Sequence, residues 1–403
     1  MTGSSGIGRA CDLVTAAAEL VPTLAGASAA RDAERALPIE LMGLVKRSGI
    51  LGARVSRACG GQEIDFRRLS EIMVHLGAGD PNIAQAIQPH FFLADWLRLE
   101  ANDEQQRRYF QMMLDGALIA NAFAERGGGV VGQTKTTLVR DGVRYRLNGT
   151  KAYSTGSLFA DYLYATAVRE DGSAVAAIFP FDREGVRVLD DWDGMGQRTT
   201  ASGTTELRQV AIEPDEVFEL PGMTTRRTYI GAASQITHAS IDVGIARAAL
   251  SDAVDYARTK ARPVADSGVD RAADDPYIIY SIGEMAILLH SAEAMLDRAA
   301  AVLDEAVAGQ LAGAVEATAL ERRLCQASIA VAEAKVVAES ASLRIGEMMY
   351  RAGGAGMTVR KFNYDRHWRN ARTHTTHDPA AYKYRAVGDF YLNGKNPGIS
   401  TKL

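Results

Sequence analysis

The hydrophobic pattern of this chain changes its period twice, and that change limits the possible folds more than any other feature of the sequence. From about Ala29 to Gly116, apolar residues recur at three- and four-residue spacing, which is typical of helices with one buried face. From about Ile119, apolar and polar residues alternate in short runs, and from about Thr228 the helical spacing returns. The sequence therefore predicts a β domain inserted between two helical regions.

The middle region contains several hairpin signals. Thr136 to Gly149 alternates around Asp141-Gly142, which predicts a type I′ turn, and Asn148-Gly149 predicts a second tight turn. Asp171-Gly172 separates two further strand-like runs in the same way. Short antiparallel strands at this spacing favour a compact β barrel or sandwich of about 100 residues.

The C-terminal region is rich in alanine and in long helical patterns, which run from Ile278 to Ala308 and from Val315 to Tyr350. Helices of this length packed antiparallel form a bundle, and so much apolar surface favours an oligomer. We expect an α+β subunit with a flexible N-terminus over residues 1–28 and a helical domain over 29–118. A β domain over 119–225 and a helical bundle with a C-terminal tail over 226–403 complete the prediction.

Composition excludes several classes of function. Lysine and arginine number 45 against 49 aspartates and glutamates, so the net charge of −4 offers no basic surface for nucleic acid. Three scattered cysteines, Cys11, Cys59 and Cys325, form neither a disulfide framework nor a metal motif, which favours a reducing cytoplasm. We find no apolar run long enough for a membrane span and no secretory signal pattern.

The N-terminal segment Thr2-Gly-Ser-Ser-Gly-Ile-Gly8 resembles the glycine-rich turn of nucleotide-binding dehydrogenases. That turn needs a preceding strand to direct it at a helix N-terminus, and only Met1 precedes it here. We therefore expect a flexible terminus rather than a cofactor site.

A polar stretch from Asp365 to Pro379 holds three of the seven histidines. His374 and His377 are three residues apart, so they share a face of a helical turn, and Pro379 predicts a turn or helix boundary at Asp378. A catalytic site and a solvated helix end both fit this pattern. His90 lies among Phe91, Phe92 and Trp96, a setting more typical of a packed core histidine than of a catalyst.

The layout and four segments together resemble the acyl-CoA dehydrogenase family over roughly residues 30–395. The family's NGxKxWITN segment is similar to Leu147-Asn-Gly-Thr-Lys-Ala-Tyr-Ser-Thr-Gly156 of this chain. Its flavin-lining loop is similar to Asn121-Ala-Phe-Ala-Glu-Arg-Gly127. Gly353-Gly-Ala-Gly356 is similar to the segment that reaches a neighbouring subunit's flavin phosphates. Arg369 to Asp378 is similar to RDARIxxIYEG, which carries the dehydrogenase's catalytic glutamate. The resemblance implies a helical domain, a β barrel or sandwich and a four-helix bundle.

The departures from the dehydrogenase motifs resemble the flavin monooxygenase branch of the family. The glutamate position is Asp378, the preceding tyrosine is His377, and the pattern HxxHDPxxYK runs through to Lys383. That branch includes dibenzothiophene monooxygenase and the sulfur-acquisition oxidoreductases. Arg262-Pro263 and Asp266 to Pro276 bring the chain closest to the second group.

The resemblance implies an FMN-dependent monooxygenase acting on a small organosulfur or aromatic substrate. Such an enzyme must hold a flavin C4a-peroxide, stabilise its charge and protonate it, and histidine and serine side chains suit proton exchange and hydrogen bonding. The implied catalytic residues are His377, Ser154, His90, His374 and Asp378. The implied cofactor-binding residues are Asn121, Phe123, Tyr153, Ser154, Thr155, Arg262, Gly353, Gly354 and Gly356.

The glutamine that helps dehydrogenases hold the FAD diphosphate is absent near Pro276, which favours FMN, with FAD as the alternative. No nicotinamide-binding βαβ unit is visible, so a separate flavin reductase would supply reduced FMN for the reaction with O₂. The expected assembly is a homotetramer. Two other interpretations remain at this stage: an FAD-dependent acyl-CoA dehydrogenase with Asp378 as base, and a catalytically silent protein of the same fold.

Overall fold

The computed structural model describes residues 12–127, 134–220, 226–313, 315–400 and 402. The prediction made for the glycine-rich segment 2–8 falls outside these residues. The described chain follows the predicted order of helices, strands and helices.

The N-terminal region is built from six helices. They are α1 (Leu13–Ala25), α2 (Ser28–Glu34), α3 (Ile39–Arg47), α4 (Phe66–Gly79), α5 (Pro81–Glu100) and α6 (Asp103–Leu114). Over residues 12–28 the structure differs from the flexible terminus that we predicted, because Leu13, Ala17 and Leu24 of α1 are buried in the core. A short amphipathic helix is stabilised by the surface on which it packs more than by its own propensity, so its sequence alone is a weak signal.

Asp65 caps the first turn of α4, where its side chain accepts a hydrogen bond from Arg68 N at 2.8 Å. Helix α4 crosses α7 (Ile230–Thr259) at very short range. A Cβ placed on Gly244 would lie 2.7 Å from Val74 O and 2.8 Å from Ala78 N. This glycine therefore allows the N-terminal helices to pack directly on the C-terminal ones.

The middle region forms one eight-stranded sheet. Its strands are β1 (Ile119–Ala122), β2 (Thr137–Asp141), β3 (Arg144–Lys151), β4 (Tyr162–Val168), β5 (Ala174–Pro180), β6 (Val186–Val188), β7 (Thr205–Ile212) and β8 (Val217–Glu219). The strand order is β6-β7-β3-β2-β4-β5-β8, and β1 pairs with β4 in parallel. Buried side chains of β1 to β5 and β7 share one apolar cluster separate from the helical core.

Two turn predictions in this region differ from the structure. The first hairpin turns at Gly142 and Val143, and of these two only Gly142 has positive φ, so the turn is not type I′. Asn148-Gly149 is not a turn: both residues lie within β3, where the pairing with β7 shifts by one residue. A Cβ on Gly149 would lie 2.2 Å from Thr136 Oγ1, so close approach of the neighbouring strand explains this glycine.

The described C-terminal region is mostly helical. It contains α7 (Ile230–Thr259), α8 (Pro276–Ala312), α9 (Ala317–Met348), α10 (Asp365–Thr375) and α11 (Ala380–Asn393). The three long helices pack on one another, and α10 and α11 both pack on α9. This arrangement places the C-terminal end of α10 beside the N-terminal half of α7.

No single described helix is long and apolar enough to cross a membrane. Helices α1 and α2 reach the required length and composition only when taken together across a 58° bend.

Candidate functional site

Two histidines of the polar stretch, His374 and His377, lie at the C-terminal end of α10, against α7. His374 is buried, and its Nδ1 lies 2.5 Å from Asp242 Oδ1. Its Nε2 lies 3.1 Å from His238 Nδ1. Burial lowers the pKa of His374, although the hydrogen bond to Asp242 opposes this effect, so the ring is neutral near pH 7.

His377 lies one turn further on, and 54% of its side chain is exposed. Its Nδ1 lies 3.2 Å from Asp378 Oδ2, which also accepts a hydrogen bond from Gln235 Nε2 at 2.8 Å. Lys402 Nζ lies 3.1 Å from the other carboxylate oxygen. Asp378 is therefore a buried, well-held carboxylate beside an exposed imidazole.

The surroundings of Asp378 fix its protonation state. Burial raises the pKa of this carboxyl group, but the hydrogen bond and charge of His377 and the charge of Lys383 together lower it well below its usual range. A carboxylate in this state is a weak proton acceptor at neutral pH.

The loop after β3 carries the predicted flavin-lining residues. Tyr153 has a left-handed backbone with φ of 55° and is half exposed, and its ring contacts Trp192 edge-on at 6.1 Å. Ser154 is fully buried, and its hydroxyl has no hydrogen-bond partner among the described residues. Thr155 Oγ1 lies 2.9 Å from Ser202 Oγ. The loop therefore presents an aromatic ring to solvent and holds a polar atom that the described chain does not satisfy.

The segment 196–203 connects this loop to α10. Ser154 N donates to Gly203 O at 3.1 Å, and Gln197 N donates to Asn370 Oδ1 at 2.7 Å. Gly196 N donates to Thr373 Oγ1 at 3.0 Å. The structure thus joins two sequence segments that we predicted to act together, through a third segment that sequence reasoning did not include.

The loop after β1 is held by a buried ion pair. Lys151 Nζ lies 2.7 Å from Glu125 Oε1, and both side chains are almost completely buried. In this loop Phe123 is 41% exposed, and Asn121 Oδ1 is buried without a hydrogen-bond partner among the described residues. Phe123 and Tyr153 are thus the exposed aromatic residues of the two loops predicted to line the flavin.

His90, which we predicted to be catalytic, is held by backbone groups on both sides of its ring. Its Nδ1 accepts a hydrogen bond from Ile119 N at 3.2 Å, and its Nε2 donates to Leu51 O at 2.9 Å. Both ring nitrogens are therefore used by the backbone, and the residue is completely buried. Burial lowers the pKa of His90 to about 4, so it is neutral near pH 7.

The predicted phosphate-binding residues lie in two places. Arg262 is exposed just after α7 and has no carboxylate partner among the described residues. Gly353 and Gly356 pack against Tyr256 of the same chain, where a Cβ would lie 2.4 Å and 2.2 Å from its ring and hydroxyl atoms. Gly354 has φ of 56° and faces open space. Only Gly354 and Arg262 of this group are open to a ligand.

Sequence reasoning missed three residues that contact His374: His238 and Asp242 on α7 and Gln85 on α5. His238 and Asp242 are four residues apart and therefore share one face of α7, which is the signal that could have identified them. The sequence separation between His238 and His374 is 136 residues, so no local pattern connects them.

The described residues suit a flavin. Exposed aromatic rings can contact its ring system, the unsatisfied Ser154 and Asn121 oxygens can hydrogen-bond to its polar edge, and Arg262 can pair with a phosphate. The fold and this site together define a flavin enzyme with the three-domain acyl-CoA dehydrogenase architecture.

Comparison with known sequences agrees with this class. Three sequence models match: acyl-CoA dehydrogenase N-terminal domain over residues 14–117, middle domain over 120–210, and C-terminal domain over 236–381. The chain belongs to the acyl-CoA dehydrogenase family, within its flavin-dependent monooxygenase branch.

Three relatives place the chain in this branch. A dibenzothiophene monooxygenase of Mycolicibacterium goodii is 33% identical over 366 residues, covering 88% of this chain and 87% of that protein. The probable FMNH₂-dependent monooxygenase SfnC of Pseudomonas putida is 29% identical over 389 residues, covering 95% of each. The crystal structure of TdsC from Paenibacillus sp. A11-2 with FMN and indole aligns with a TM-score of 0.88 and 32% identity, covering 97% of this chain and 99% of that one.

Proposed function

We propose that the chain is an FMN-dependent monooxygenase that oxidises a small organosulfur or aromatic compound with O₂. The observation that carries this proposal is the pair formed by His377 and Asp378. In this pair the carboxylate is held by Gln235, His377 and Lys402, and the imidazole is the exposed group. The relatives' names, which include an organosulfur substrate and an FMNH₂ requirement, support the same chemistry.

We propose FMN as the cofactor. Phe123 and Tyr153 would contact its rings, and Arg262 would pair with its single phosphate. Bound reduced FMN supplies the electrons that activate O₂. A separate flavin reductase would deliver it, a homotetramer is the expected assembly, and the cytoplasm is the expected location.

His377 would hold the proton that the reaction consumes. Its Nδ1–H donates to Asp378, which leaves Nε2 to bind or release a proton on the exposed side of the ring. Asp378 would orient the imidazole. Ser154 would hydrogen-bond to the flavin, because its buried hydroxyl has no partner among the described residues.

The alternative acyl-CoA dehydrogenase reaction requires a basic carboxylate at Asp378. The low pKa of Asp378 makes that carboxylate a poor base, and its two oxygens already contact Gln235, His377 and Lys402.

Two substitutions test the proposed function. His377→Ala should reduce product formation by about 100-fold or more, because one acid–base group is lost, while FMN binding remains. Asp378→Asn should reduce it less, since an amide can still accept from His377. Product can be measured with dibenzothiophene and indole as trial substrates, together with flavin reoxidation and hydrogen peroxide release.

His290→Ala is the matched control, because His290 is an exposed histidine on α8, away from α10. An inactive Asp378→Asn variant beside a nearly intact His377→Ala variant would reverse the assignment and favour the dehydrogenase.

A further inference from the structure

His238 is a buried histidine of α7 whose imidazole contacts those of His374 and His377. Its ring centroid is 4.8 Å from that of His377 with an interplanar angle of 30°, so the two rings stack. It is 5.2 Å from that of His374, to which it is also hydrogen-bonded. The proposed function assigns His238 no role, yet it covers one face of the ring proposed to carry the proton.

A chain of polar contacts holds the His238 ring in place. Lys335 pairs with Asp242, and both side chains are buried. His374 Nδ1 lies 2.5 Å from Asp242 Oδ1, and His374 Nε2 lies 3.1 Å from both His238 Nδ1 and Gln85 Oε1. Asp242 and Gln85 therefore hold the His374 ring from two sides, and the contact with His374 limits the rotation of the His238 ring.

His377 itself has few other constraints. Its side chain is 54% exposed, and its hydrogen bond in the described structure is the one from Nδ1 to Asp378. A single hydrogen bond permits rotation of the ring about the line that joins its two atoms. A flat, buried ring stacked against it removes that freedom.

We propose that His238 is a positioning residue that holds the His377 imidazole in its reactive orientation by stacking. The Lys335–Asp242–His374 contacts keep the stacking ring fixed. This inference rests on the proposed role of His377 in the reaction. It assigns His238 no proton transfer of its own.

The first test needs no flavin. Diethyl pyrocarbonate acylates unprotonated imidazoles, and peptide mass spectrometry reads the rate at each histidine, with exposed His290 as internal reference. His238→Ala should raise the rate at His377 by up to about twofold, because the lost ring uncovers the stacked face of a side chain that is already 54% exposed. His238→Gln should do the same, while His238→Phe, which restores a flat ring, should reverse the increase.

The second test measures flavin-dependent product formation. His238→Ala should lower kcat by about three- to sixfold, because three χ1 wells and two ring orientations become available in place of one. In the His377→Ala background it should cause no further loss, since a residue that acts only through His377 cannot matter once that ring is gone. His238→Phe should recover most of the activity that His238→Ala loses.

The outcomes separate this inference from the proposed function. An unchanged His377 acylation rate in both His238→Ala and His238→Gln would overturn the inference. So would a further loss of kcat when His238→Ala is added to His377→Ala. The expected acylation rates beside a fully active His377→Ala variant would support the positioning of the ring and refute the proposed function. His238→Gln fills most of the buried volume, so it supplies the answer if His238→Ala folds poorly.

Discussion

At the scale of single residues, Ser154 differs from its neighbour Ser157 in one respect. The hydroxyl of Ser157 donates to Ala201 O at 3.3 Å, whereas the hydroxyl of Ser154 has no partner among the described residues. Ser154→Ala should therefore leave the melting temperature unchanged or slightly higher while reducing product formation. Ser157→Ala should lower the free energy of unfolding by about 1 kcal/mol. Thermal unfolding and product assays of both variants check this, and a Ser154→Ala variant with full activity would remove Ser154 from the site.

A second residue-scale prediction concerns His90 and pH. Burial lowers the pKa of His90 to about 4 in the folded protein, against a usual value near 6.5. The unfolded chain binds this proton first on acidification, so the stability from the neutral ring is present above pH 6.5 and is lost as the pH falls through 4. The loss amounts to about 3 kcal/mol. His90→Gln, which cannot titrate, should show a flatter decline in stability over this range.

Denaturant unfolding of both proteins at several pH values measures that difference. If the free energy of unfolding changed with pH equally in both proteins, protonation of His90 would not destabilise the fold. A His90→Gln variant of normal stability that forms no product would restore the catalytic role first predicted for this residue.

At the scale of elements, the crossing of α4 and α7 depends on Gly244. Gly244→Ala should reduce the free energy of unfolding by about 1–3 kcal/mol, because its Cβ would lie 2.7 Å from Val74 O and the two helices would have to separate. Gly283→Ala on α8 is the matched control, since nothing lies within 4 Å of its Cβ. That variant should gain up to about 1 kcal/mol from helix propensity. Equal effects of the two substitutions in denaturant unfolding would contradict the tight crossing.

At the scale of the whole molecule, Gly354 tests whether one subunit completes the flavin site of another. Gly354→Asp should weaken FMN binding by placing a negative charge near the phosphate. Gly354→Asn keeps the size and tolerates the φ of 56° equally well, so it separates charge from backbone strain.

FMN titration with light scattering on the same samples measures affinity and assembly together. A monomer that binds FMN at full strength would exclude the shared site. Equal loss in the two variants would indicate strain rather than charge.

The sequence by itself determined the order of elements and the family. The spacing of apolar residues depends on neighbours within one helix or strand. The change from helical to alternating spacing and back therefore predicted the order of elements without any structure. The strands on either side of Asp171-Gly172 were predicted for the same reason. Motif spacing identified the segments around Tyr153 and His377, because a local segment that contacts a cofactor keeps its residue order.

Only the tertiary structure decided which side chains meet. His90 and His377 are both histidines within helical or turn segments, yet one is enclosed by Leu51 O and Ile119 N and the other is exposed. Asn148-Gly149 has a turn sequence and lies inside a strand because β2 passes close by. His238 and Asp242 reach His374 from another helix. Burial and long-range contacts depend on how distant segments pack, and a local stretch of sequence does not determine that packing.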